Sequence, residues 1–141
     1  MTIYAARPNC TLTIVRGLPS TGKSTYAHSL GVFHVEKDMF CMHDGEYHWV
    51  KEQVKWNEDL LFEFAEKSLE LGFDCVVVGT FVKACDVQKF VTLASLIYNA
   101  KVKVVRTTTE YPDNNHNVPQ DVIEKMRTEF EDFEGEELLN H

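Results

Sequence analysis

"GLPSTGKST", residues Gly17–Thr25, follows the β-branched run "CTLTIVR" and opens a helical stretch that closes at Gly31, a suitable C′ glycine. The spacing is G-x-x-x-x-G-K-[ST], and it lies where that motif needs to lie, between a buried strand and a helix. Gly17, Leu18, Pro19, Ser20, Thr21 and Gly22 form a loop whose backbone N–H groups can turn inward as an anion nest, with the partial positive charge of the helix start behind them. Lys23 adds a point charge suited to β- and γ-phosphates. The Ser24 hydroxyl is the expected magnesium ligand, and Thr25 is placed to bond the α-phosphate. The implied ligand is a nucleoside triphosphate, ATP or GTP, with Mg2+.

The elements alternate outward from this loop. "VFHVEKD" reads as a second strand that brings Asp38 to the sheet edge, and "CMHDGEYHW" as a loop around the turn pair Asp44 and Gly45. From about Val50 to Leu71 the apolar spacing is helical, with Gly72 closing it; "CVVVG" is a strand covered on both faces. Lys83 to Asn99 is helical, "AKVKVVRT" is the fourth strand, and a last acidic helix over about 119–134 opens at Pro119 and turns Val122, Ile123, Met126, Phe130 and Phe133 inward. The order βαβαβαβα predicts an α/β domain with a parallel sheet and helices on both faces. Ligands bind such sheets at the strands' carboxyl ends, where Gly17, Asp38, Gly79 and Thr107 converge.

The 141 residues suit one domain, 1–141, with one core. No apolar stretch approaches the roughly 20 residues of a membrane span, and the start lacks a signal-peptide h-region, so the expectation is a cytoplasmic protein. The net charge of −8 is uneven. Residues 1–35 hold three basic residues and no acid, whereas residues 106–141 hold ten acids against Arg106, Lys125 and Arg127. The phosphate loop therefore lies in the cationic part, and the acidic end reads as a solvated helix face or a surface for a basic protein partner. With no Lys/Arg stripe, a long nucleic-acid duplex is not expected as a partner. Cys41, His43 and His48 lack the spacing and fourth ligand of a zinc site.

"TIVRGLPSTGKSTYA", with Pro19 two residues after the first glycine, resembles the opening of the P-loop polynucleotide-kinase-like family. That family includes the 5′-kinase domain of bacteriophage polynucleotide kinase and the zeta-toxin kinases, built on an AAA-type ATP-binding domain. "VEKDMF", "DGEYHW" and "NNHNVPQDVIEKMRTEFED" are similar to the family's general-base segment, its Gly-x-Tyr stretch, and its lid with a Val-Pro helix. The resemblance implies a three-layer α-β-α fold with about four strands in the order 2-3-1-4. It also implies transfer of the γ-phosphate to a hydroxyl of a nucleotide, a polynucleotide 5′ end or a related small molecule. Asp38 matches the aspartate that takes the hydroxyl's proton; an Asp after a strand equally caps the next element, and the adjacent phosphate loop favours the chemical role.

Two departures stand out. Gly79 occupies the place of the family's third-strand aspartate, with Thr80 retained, and the lid "RTTTEYPDNNHNVP" lacks the usual arginines. Arg106, His116 and Arg127 are the candidate substitutes, and Tyr47 and Trp49 are candidates for stacking on a base. Two further readings stay open: a nucleotide-binding interaction protein with weakened transfer, and a toxin-like kinase of a sugar nucleotide.

Overall fold

The structure is a computed structural model that describes residues 10–36, 42–43, 46–47, 54–111 and 118–139. Asp38, Trp49 and His116 lie outside the described residues, as does the side chain of Tyr47.

β1 (Thr11–Arg16), α1 (Lys23–Ser29), β2 (Phe33–Glu36), the short strands β3 (Met42–His43) and β4 (Glu46–Tyr47), α2 (Val54–Leu71), β5 (Cys75–Gly79), α3 (Ala84–Thr92), β6 (Lys101–Thr107), α4 (Gln120–Glu129) and β7 (Glu137–Leu139) follow in order. The main sheet is parallel, in the order β2-β5-β1-β6-β7. The four expected strands occupy the expected order, and β7 adds a fifth beside β6. β3 and β4 pair antiparallel, so the segment expected to be a loop is a minimal hairpin.

Period-two alternation divides the interior. Leu12, Ile14, Val35, Cys75 and Val77 face Leu61, Ala65 and Leu69 of α2 and Val87 and Phe90 of α3, whereas Val15, Val76 and Val78 face Ala27 of α1. Helices thus cover both faces. α2 ends in a Schellman arrangement: Gly72 N donates to Leu69 O at 3.0 Å and Phe73 N to Ser68 O at 2.9 Å, with Gly72 at φ 83. α3 runs into a single π-turn at Leu93–Ile97, and Asn99 at φ 53 turns the chain into β6. Among the described residues, no helix is long and apolar enough to cross a membrane.

The acidic helix is shorter than expected. It ends at Glu129, and Phe130 is extended at φ −65, ψ 120. The cause is Arg16, the last residue of β1, whose side chain is fully buried. Its Nε and Nη2 donate to Phe81 O at 3.1 and 2.6 Å, Nη2 also donates to Glu131 O at 2.8 Å, and Nη1 meets Glu136 Oε1 at 2.7 Å. Phe130 lies between Arg16 and Arg106, each guanidinium carbon 4.4 Å from its ring centre. Burial pulls the Arg16 pKa below its usual value, and the Glu136 hydrogen bond opposes that pull. Phe130 and Phe133 are therefore packed by the chain folding back, not by a helix face.

Removing the guanidinium in Arg16→Met leaves buried acceptors and Glu136 without their donor. A loss of about 3–5 kcal/mol is expected, read as a lower urea midpoint at unchanged slope; an unchanged midpoint would refute this role. Thiol labelling provides a second check. Burial pushes the Cys75 thiol up to about 11, so at pH 8 iodoacetamide should modify exposed Cys85 in the native protein and reach Cys75 only on unfolding. Native labelling of Cys75 at the rate of Cys85 would contradict this packing.

Candidate nucleotide site

The loop between β1 and α1 is shaped by two left-handed residues, Ser20 at φ 62 and Gly22 at φ 82. Gly17 is needed for a different reason. A Cβ there would lie 2.3 Å from Thr107 Oγ1 and 2.9 Å from Thr107 O, so the loop passes β6 too closely for a side chain. Thr21, buried beneath the loop, donates to Leu18 O at 2.7 Å and lies 2.6 Å from Thr107 Oγ1. With the Thr21 proton committed to Leu18, the Thr107 hydroxyl donates to Thr21. Tyr111 N donates to Ser20 O at 2.8 Å, which ties the segment after β6 to the loop.

Lys23 Nζ donates to Leu18 O at 2.7 Å, folded onto the loop it would serve. Thr25 is exposed in the first turn of α1, a turn with no acid and, among the described residues, no side-chain cap. The helix start therefore carries its partial positive charge toward the loop with no acid of its own turn to offset it.

Ser24 donates to Glu36 Oε1 in a short contact. Glu36 ends β2 beside Val78 of β5, one register step from Gly79. A carboxylate thus stands beside the phosphate loop on the strand adjacent to β5. Gly79 is itself closely packed: a Cβ would meet the Phe81 ring at 3.1 Å, so a side chain there would have to displace that ring slightly. Phe81 is held there at φ 43, its carbonyl bonded to Arg16 and its ring against Phe90 at 5.5 Å. A hydroxyl and a carboxylate are hard oxygen donors of the kind magnesium takes alongside phosphate oxygens, so Ser24 and Glu36 fit that ion. Glu36 was not among the residues expected from the sequence; the available signal was an acid at the end of a strand next to the phosphate loop.

Arg106 and Arg127 line one cleft with Leu18, Thr21, Thr107 and Phe130, so both sequence candidates reach the loop's neighbourhood. Each is ion-paired. Arg106 Nη1 lies 2.6 Å from Asp132 Oδ1 and 3.4 Å from Glu136 Oε2. Arg127 bonds Glu110 in a short contact and Glu124 Oε1 at 3.3 Å. The Arg127 hydrogen bond holds the Glu110 carboxyl below its usual range, and Glu110 and Glu124 hold Arg127 above its own. Thr80 follows β5 at its carboxyl end, half-buried, and is not in this cleft.

Residues 12–133 match the model of a protein family described as the AAA domain. The chain belongs to that family. It is 31% identical to uncharacterized protein PM0531 of Pasteurella multocida (strain Pm70), over 82% of this chain and 74% of that protein. Its fold is that of a gluconokinase from Sinorhizobium meliloti 1021 (TM-score 0.64, 13% identity, 99% of this chain and 84% of the other). It is also that of Chaetomium thermophilum Kti12 in complex with ADP-AlF3 (TM-score 0.65, 12% identity, 92% and 88%). The α/β, P-loop kinase architecture expected from the sequence is therefore the observed one.

The close approach of Gly17 to Thr107 gives a direct test. Gly17→Ala should cost about 1–3 kcal/mol of stability through overpacking and weaken nucleotide binding by at least about tenfold. Thermal unfolding and titration calorimetry with a non-hydrolysable ATP analogue read the two effects. Wild-type affinity in this variant would mean that the loop tolerates a side chain facing β6.

Proposed function

We propose that this AAA-domain protein is a magnesium-dependent phosphotransferase that moves the γ-phosphoryl group of ATP or GTP to a hydroxyl. The acceptor is a nucleotide, a polynucleotide 5′ end or a related small molecule. The observation that carries this reading is the pairing of Ser24 with Glu36 beside Lys23, which gathers a hydroxyl, a carboxylate and an ammonium at the strands' carboxyl ends. The ADP-AlF3 complex of the same fold supports a nucleoside triphosphate donor, and the gluconokinase supports a small hydroxylated acceptor.

In this mechanism the loop N–H groups and Lys23 hold the β- and γ-phosphates and stabilise charge that spreads over the phosphoryl oxygens. Ser24 and Glu36 are the residues that would hold Mg2+, which when bound neutralises and polarises the phosphates. Asp38, two residues beyond Glu36, orients the acceptor hydroxyl in line. The bond from γ-phosphorus to the β–γ bridging oxygen breaks, the acceptor oxygen bonds to phosphorus, and the acceptor's proton passes to Asp38. Arg127 is the cation assigned to the cleft mouth, after exchanging Glu110 for a phosphate oxygen. The polynucleotide-kinase and zeta-toxin resemblances give the first acceptors to try, polynucleotide ends and sugar nucleotides.

The internal pairing of both Arg106 and Arg127 favours one second reading, a nucleotide-binding interaction protein with weak transfer. Its acidic partner surface would be reduced to part of the segment, since Glu131, Asp132 and Glu136 bond this chain's own groups.

Incubation with γ-labelled ATP and a pool of oligonucleotides, nucleosides and sugar nucleotides, followed by mass identification of the labelled product, tests the proposal. Lys23→Ala and Asp38→Ala should each abolish labelled product. Glu36→Gln should lower turnover about 10–100-fold, with partial recovery at raised Mg2+. Full activity in Lys23→Ala or Asp38→Ala would refute the mechanism, and nucleotide binding without turnover on any acceptor would favour the second reading.

A further inference from the structure

α1 ends and β2 begins around the turn at Gly31, and that turn brings three metal-ligating side chains together. His28 lies in the last turn of α1; His34 and Glu36 stand two apart on β2, on one face of the strand. One ligand atom from each lies within 4.8 Å of the others. The two imidazole rings are 4.3 Å apart, edge to face. His34 Nε2 lies 3.5 Å from Glu36 Oε2. That nitrogen is buried, and among the described residues it makes no hydrogen bond.

Two features make this arrangement a site and not a surface coincidence. A buried imidazole nitrogen without a partner costs free energy unless something satisfies it, and this one is aimed at a carboxylate oxygen. The spacing is also chemically apt. Ligands held about 2.0–2.1 Å from a tetrahedral ion lie roughly 3.3–3.5 Å from one another. The His34–Glu36 separation already has that value, and His28, on the exposed face of α1, closes the third edge by a side-chain rotation.

We propose that His28, His34 and Glu36 bind a borderline divalent transition-metal ion, of which Zn2+ is the type, at a site that shares only the Glu36 carboxylate with the one assigned to Mg2+. Two imidazoles select against Mg2+, which takes oxygen ligands, and leave a fourth position for water. Glu36 divides its oxygens: Oε1 accepts from the phosphate-loop residue Ser24, and Oε2 faces His34. The ion therefore sits on the other side of the carboxylate that serves the loop, and its occupancy fixes that carboxylate's orientation.

The test uses the full chain without nucleotide. Zn2+ affinity is measured by competition with a chromophoric chelator, and Co2+ absorption reports the ligand type. Wild type should bind one equivalent, with the strong visible d–d bands of four-coordinate Co2+ and no thiolate charge-transfer band. His28→Ala and His34→Gln should each weaken binding by at least about tenfold, since loss of an outer partner alone costs that much. Lys23→Ala should bind Zn2+ as wild type does while losing nucleotide, so this proposal and the phosphotransferase reading fail independently. Unchanged affinity in His28→Ala and His34→Gln, or a thiolate band, overturns the site. If circular dichroism shows that His34→Gln is unfolded, His28→Ala decides alone, because His28 is exposed and its truncation leaves the core intact.

Discussion

A guanidinium removed from water must be met by acceptors on every side, and Arg16 meets this requirement by drawing two distant segments to the end of β1. The carbonyls of Phe81 and Glu131 and the carboxylate of Glu136 converge on it from the loop after β5 and from the chain's acidic end. Because Arg16 immediately precedes Gly17, the same contacts brace the entrance of the phosphate loop. Phe81 shows the cost of that bracing: its left-handed backbone persists because Arg16 holds its carbonyl and Phe90 packs its ring.

The acidic end is thereby converted from a solvated tail into a wall. Glu136 serves Arg16 with one oxygen and Arg106 with the other, so two neighbouring cations on one aromatic ring are held together by a single carboxylate. Glu131 caps the start of α3 through Ala84 N at 2.7 Å. The negative charge in this segment is a structural counter-ion for the sheet's carboxyl edge. It also pairs Arg106, as Glu110 and Glu124 pair Arg127.

Much of this was legible in the sequence, because strong local signals and long-range packing agree there. The G-x-x-x-x-G-K-S spacing fell between a β-branched run and a helical period, and "CVVVG" could only be a strand buried on both faces. Glycines at 31 and 72 closed helices where left-handed backbone was required. What escaped had no local signature. β7 is three residues long, and the segment before it is bonded to Arg16 and Arg106 through Glu136. The helix over 119–134 was expected from the period of its apolar residues, but Phe130 packs on Arg16 of β1 and Arg106 of β6, and Phe133 packs on the core, contacts that periodicity cannot see. Glu36 carries no motif of its own, and its place beside β5 comes from pairing between strands that lie far apart in the chain.

The acid paired with Ser24 stands on β2, at the sheet's edge, and the Phe81 ring occupies the space beside Gly79 of the neighbouring strand β5. In the proposed mechanism the ion and the acceptor are then managed by one short segment, so a change in its position moves both together. The two imidazoles on the outer side of Glu36 act on that same segment. Under the two proposals, an ion held there would set the carboxylate's angle to Ser24, and the edge of the sheet would be the place where transfer is adjusted.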